Sequence, residues 1–65
     1  GQIQLMYLGC GRSLKKGNFV LESDHDVYAA IYMQHGVWYY SATGPVRVKI
    51  GKETKELNEG YNQKL

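Results

Sequence analysis

The 65-residue chain predicts an all-β fold, a small antiparallel barrel or strongly bent sheet of five to six strands, on three observations. Residues 27–57 fall into alternating runs whose intervening turns are short enough for cross-strand partners to be counted from them. Clusters of Gly, Pro, Asn and Asp punctuate the runs, as tight β connections require. No stretch carries a convincing helical period of apolar residues.

In residues 2–8, Ile3, Leu5 and Tyr7 alternate with Gln2, Gln4, Met6 and Leu8, the pattern of a strand buried on both faces near its end. Residues 9–13 are a Gly-rich connection, and residues 14–18 turn the chain into a short strand over 19–22. Ser23, Asp24, His25 and Asp26 form a second polar turn. A strand over 27–34 meets its return arm over 37–41 through His35-Gly36, a two-residue turn in which Gly accepts the positive φ required. Counting outward pairs Gln34 with Val37, Met33 with Trp38, Tyr32 with Tyr39 and Ile31 with Tyr40. One face then carries Val27, Ala29, Ile31, Met33, Trp38 and Tyr40, the more apolar set and the expected core. The other carries Tyr28, Ala30, Tyr32, Val37 and Tyr39.

Pro45, which cannot donate a ladder hydrogen bond, ends this hairpin together with Gly44. Val46, Val48 and Ile50 next alternate with Arg47 and Lys49, a half-buried strand, and Gly51-Lys52 turns it into a polar return arm over 53–57. That register sets Lys49 against Thr54 and Arg47 against Glu56, and the charge on the return arm suits a sheet edge that must refuse stray partners. Residues 1–57 thus form one small β domain. Residues 58–65 are expected to be a loose tail, with Tyr61 and Leu65 spaced to make one helical turn.

The segment Leu14-Lys15-Lys16-Gly17-Asn18-Phe19-Val20-Leu21 resembles the strand-entry segment of SH3 domains over eight residues. The resemblance implies an SH3-like closed meander. No acidic loop of the usual length precedes the segment, and no Pro-Ser-Asn-Tyr-like stretch stands near the end. The barrel shape is therefore carried over as an expectation and proline-peptide recognition is not.

A chain this short buries only about 60% of its unfolded surface. Its stability is then about 3 to 10 kcal/mol. Eight Lys and Arg against six Asp and Glu leave a net charge of +2, scattered rather than gathered into a basic stripe. Cys10 stands alone, which excludes an intramolecular disulfide and points to a cytoplasmic or other reducing compartment. No apolar run reaches the roughly 18 residues of a membrane helix, so no membrane partner is expected. The first residue is Gly1 rather than Met, the expected start of an excised domain, a processing product or a tagged fragment.

The chemistry-bearing residues are few. Tyr28, Tyr32 and Tyr39 share a face, with Arg47 and Lys49 expected on the same side of the neighbouring strand. Tyr offers large contact area at low entropic cost, and Arg pairs with carboxylate or phosphate, so the five form the candidate ligand-binding surface. The competing reading is an ordinary sheet surface, with Tyr32 opposite Tyr39 as a stabilising pair and Arg47 occupied by Glu56. Residues 24–32 followed by 36–40 resemble the histidine-bearing hairpin of papain-like cysteine peptidases. Ser41 and Thr43, however, stand where an orienting Asp or Asn belongs, and no Cys opens a helix. His25 and His35 read as loop and turn residues, and catalysis is not expected. Asp24-His25-Asp26 lacks the further oxygen ligands of a calcium loop. Residues 9–13 lack the spacing and Lys of a phosphate loop, and neither a metal nor another cofactor is expected.

The expectation is a small non-catalytic module that binds protein through its tyrosine face or an open sheet edge, the latter also a route to homo-oligomers. The alternatives are single-stranded nucleic-acid binding, which stacking tyrosines beside Arg47, Lys49 and Lys52 would serve, and a structural part in a larger assembly. Glu53 and Glu56 interleaved with the basic residues weaken the first alternative.

Overall fold

The computed structural model describes residues 3–9 and 11–65. It contains eight strands and, among the described residues, no helix: β1 (Met6–Leu8), β2 (Ser13–Lys16), β3 (Phe19–Glu22), β4 (Val27–Gln34), β5 (Val37–Ala42), β6 (Val46–Ile50), β7 (Glu53–Leu57) and β8 (Gly60–Lys64). They form two four-stranded antiparallel sheets, the first in the order β1-β4-β5-β8 and the second β2-β3-β6-β7. No ladder among the described residues joins one sheet to the other, so the expected closed barrel with SH3-like continuity is not what the strand pairing shows.

Both counted registers hold. Gln34 lies opposite Val37 and Ile31 opposite Tyr40, while Arg47 lies opposite Glu56 and Lys49 opposite Thr54. At the first turn His35 and Gly36 have φ of 52° and 76°. Two successive left-handed residues are the geometry that matches a tight hairpin to the right-handed twist of its strands, and Gly is the residue that adopts it without cost.

The core lies between the sheets. Leu8, Val27, Ala29, Ile31, Tyr40 and Ala42 of the first sheet meet Leu21, Val46 and Val48 of the second. Phe19 and Trp38 close one end, with ring centroids 4.8 Å apart. Gly44 lets the chain cross from one sheet to the other, because a Cβ there would lie 2.7 Å from Val27 Cγ1. The smallest extent of the molecule, 17 Å, fits two sheets about 10 Å apart with their outer side chains.

Several expectations change. The strands number eight rather than five or six, and Ser13–Lys16, expected as connection and turn, is instead β2, paired with β3 across the tight turn Gly17-Asn18. The segment expected to be a tail or a helical turn is instead β8, an edge strand of the first sheet. A register shift between Tyr40 and Ala42 places an extra residue on β8, and Asn62 takes a φ of 52° there. Such a bulge breaks the alternation by which a strand is recognised. The strand expected over 2–8 narrows to Met6–Leu8 among the described residues. Finally, the two faces of β4 do not divide into core and surface. Ala30, Tyr32 and Ser41, on the outward side, are buried, while Met33, on the inward side, is 51% exposed.

Candidate protein-binding surface

The five residues expected to form one surface are divided between the two sheets. Tyr28 and Tyr32 on β4 and Tyr39 on β5 face outward from the first sheet, whereas Arg47 and Lys49 on β6 face outward from the second. The expectation that they share a side fails because the chain crosses between sheets at residues 43–45, and β6 pairs with β3 rather than with β5.

Tyr32 is withdrawn from solvent. It is 4% exposed, its ring stacks on Tyr39 with centroids 6.0 Å apart, and its hydroxyl donates to Asn62 Oδ1 with Ser41 Oγ 3.4 Å away. Asn62 N in turn donates to Ser41 Oγ at 2.9 Å. The β8 bulge therefore ties a buried tyrosine hydroxyl into a closed polar group, which removes the penalty of burying it unbonded. Tyr39 is half-buried by the same stack.

Arg47 and Lys49 are also engaged, though not by Glu56. Arg47 donates to both carboxylate oxygens of Asp24 at 2.7 and 3.0 Å, with Glu22 Oε1 at 3.5 Å, and Lys49 Nζ lies 3.0 Å from the same Glu22 oxygen. Ser23 builds this arrangement. Its hydroxyl donates to Pro45 O at 2.7 Å and accepts from His25 N at 3.1 Å, which fixes the turn that presents Asp24. The hydrogen bond from Lys49 holds the Glu22 carboxyl below its ordinary pKa, and the guanidinium of Arg47 does the same for Asp24. The Arg47 guanidinium is in turn held in its charged form by Asp24.

Tyr28 remains open, and it has a partner that sequence reasoning did not supply. Tyr7 of β1 lies opposite Tyr28 and packs edge-on against it, centroids 5.5 Å apart at 61°. Tyr7 donates its hydroxyl to Asp26 Oδ1 at 2.8 Å, which raises its pKa, and the Arg12 guanidinium sits 5.7 Å from its ring centroid. Farther along the same segment, Ile3 and Leu5 line an open groove of about 390 Å³ with Ser41, Tyr61 and Asn62. Ile3, Tyr7, Tyr28 and Tyr61 are all more than two-fifths exposed. The signal for Ile3, Leu5 and Tyr7 was present as their alternation, but the partner of that strand was not legible. Tyr61 was hidden by the unrecognised β8.

The residues considered for chemistry do not converge. Asp24 is taken by Arg47 and Asp26 by Tyr7, His25 is exposed, and His35 occupies the hairpin turn. Cys10 lies outside the described residues. Among the described residues no group of three His, Cys, Asp or Glu side chains is placed to hold a metal, and no helix is long and apolar enough to cross a membrane. No family model, no curated protein and no solved structure matches the chain.

Proposed function

We propose that this chain is a small non-catalytic protein-binding module and that its contact surface is the outer side of the first sheet. The observation that carries the reading is the open apolar and aromatic strip of Ile3, Leu5, Tyr7, Tyr28 and Tyr61, which holds no ion pair among the described residues. An apolar strip of this kind, rimmed by polar groups, is the usual mark of an interaction site, and tyrosines serve as its anchors. Tyr28, Tyr7 and Tyr61 replace Tyr32 as the anchors, and Tyr39 contributes through its half-exposed ring. Arg47 and Lys49 leave the site.

Nucleic-acid binding loses support on the same geometry. Stacking rings and phosphate-binding cations must act on one surface. Here Arg47 and Lys49 lie on the other sheet from the tyrosines and are paired with carboxylates, which leaves Arg12 beside Tyr7 without the cluster of cations that phosphate binding requires.

The test is to capture partners with the immobilised chain, purify what binds, and titrate it against the unmodified protein, Tyr28→Ala with Tyr61→Ala, and Lys49→Ala. The tyrosine variant is expected to lose affinity by about tenfold or more while Lys49→Ala stays unchanged. A purified partner whose affinity depends on Lys49 and falls steeply with salt would overturn the reading in favour of nucleic-acid-like electrostatic binding.

A further inference from the structure

Among the described residues the first sheet has a gap. β4 runs to Gln34, but its ladder with β1 ends at the pair Met6 and Ala29 among the described residues. The direction of the free backbone groups follows from the hairpin. Gln34 and Val37 flank the two-residue turn and exchange its closing hydrogen bonds, so alternate residues back along β4 point their amides and carbonyls at β5. Tyr28 obeys this parity, its carbonyl accepting from Thr43 N at 2.9 Å. Ile31 and Met33 therefore direct their amides and carbonyls the other way, toward the side β1 has stopped covering.

The side chains tell the same story. Met6 and Met33 both stand on the inward side by register, yet each is 51% exposed. An inward residue is left open when the strand that should lie beside it is missing. Between the open part of β4 and the β2 edge of the second sheet is a groove of about 150 Å³, lined by Gln4, Met6, Leu14, Lys15, Lys16 and Ile31 together with Ala30. It accommodates one aliphatic side chain. Its only charged lining residues are the two lysines, which enter no ion pair among the described residues. Of the outer edges, β2 and β7 are guarded by charge and β8 by its bulge.

We propose that this gap receives an extended peptide segment of a protein partner, which pairs with residues 31–33 of β4, places an aliphatic side chain in the groove and presents carboxylates to Lys15 and Lys16. Strand addition takes its affinity from main-chain hydrogen bonds and its selectivity from alternate side chains, and the gap supplies both. The inference shares with the proposed function only the class of partner. None of the groove residues belongs to the tyrosine surface, so either site can fail alone.

The probe is a capped octapeptide alternating Val or Ile with Glu and Thr, titrated into the full chain while the backbone amides are followed by NMR. The expected result is that the Ile31 and Met33 amides exchange rapidly in the free protein and become protected on binding. The counterpart with Lys in place of Glu is expected to bind at least about tenfold more weakly. Methylating the peptide nitrogens that face β4 is expected to abolish binding without altering the protein, and Met33→Asp, at an exposed position, to do so from the other side. Tyr28→Ala with Tyr61→Ala is expected to leave this binding unchanged. The proposal is overturned if neither peptide perturbs residues 30–34, if the Lys peptide binds better, or if N-methylation has no effect. It is also overturned if those amides are already protected in the free protein, with sedimentation showing a dimer that Met33→Asp dissolves.

Discussion

The β4–β5 and β6–β7 hairpins were equally easy to register from their turns, and they meet opposite fates. The first is covered on both sides over its middle, with Val27, Ala29 and Ile31 against the core and Ala30, Tyr32 and Ser41 buried on the outside, while Tyr28 stays open. The second is covered on one side of β6 and lies open along β7. Alternation states which residues share a face of a sheet. It does not state whether the second face is roofed, because the roof is supplied by distant chain, here by Asn62 of β8.

The comparison breaks most sharply at Tyr32. Tyr32→Ala is expected to cost about 3 to 5 kcal/mol, a large part of the whole stability of so small a domain, whereas Tyr28→Ala should cost far less. Urea unfolding of the two variants decides it. Equal midpoints for the two would mean that the outer side of the first sheet is not roofed. Next in size is Gly36→Ala, which places a Cβ at a φ of 76° and is expected to cost about 1 to 2 kcal/mol. The same denaturant titration measures it, and an unchanged midpoint would show that the tight turn does not hold the first hairpin in register.

The second hairpin is sharpened by pH. Glu22 and Asp24 have pKa values lowered by Lys49 and Arg47, so the folded chain binds protons less readily than the unfolded one. Their stabilisation is complete above the ordinary carboxylate pKa values and is lost as pH falls through the lowered ones. Melting temperature followed from neutral to strongly acid pH should decline in that window, and added salt should shrink the decline. Smallest of all is Lys49→Ala, which removes an exposed pair and should leave the neutral-pH melting temperature within experimental error. A large drop would assign the second sheet's outer face a structural weight that its exposure argues against.

Local chemistry made most of the fold legible. Two-residue turns with Gly, the Val46-Val48-Ile50 alternation and the break at Pro45 all act within a few residues, and the strands they bound were placed with at most small shifts at their ends, except β2, whose short polar run was taken for connection and turn. β8 was not legible because Asn62 in a bulge interrupts its period and its residues are mostly polar. The candidate surface was half legible. Tyr28 faces out as expected, but assigning Arg47 and Lys49 to the same side required knowing that the chain changes sheets at Gly44, a tertiary event with no period of its own. Tyr32 was on the expected side, and the stack on Tyr39 together with a contact to Asn62 thirty residues away removed it from solvent.

The order β1-β4-β5-β8 also decides how the domain answers a pull. Because every neighbour in that sheet is antiparallel, β1 and β8 run in opposite directions at its two outer edges. The start of β1 and the end of β8 consequently lie at the same end of the sheet, the end occupied by His35 and Gly36, and Leu65 confirms the placement by donating to Trp38 O at 2.9 Å. Tension between these two points draws each edge strand away from its neighbour one hydrogen bond at a time instead of shearing a whole ladder at once. Under load the first sheet opens like a zip from both margins.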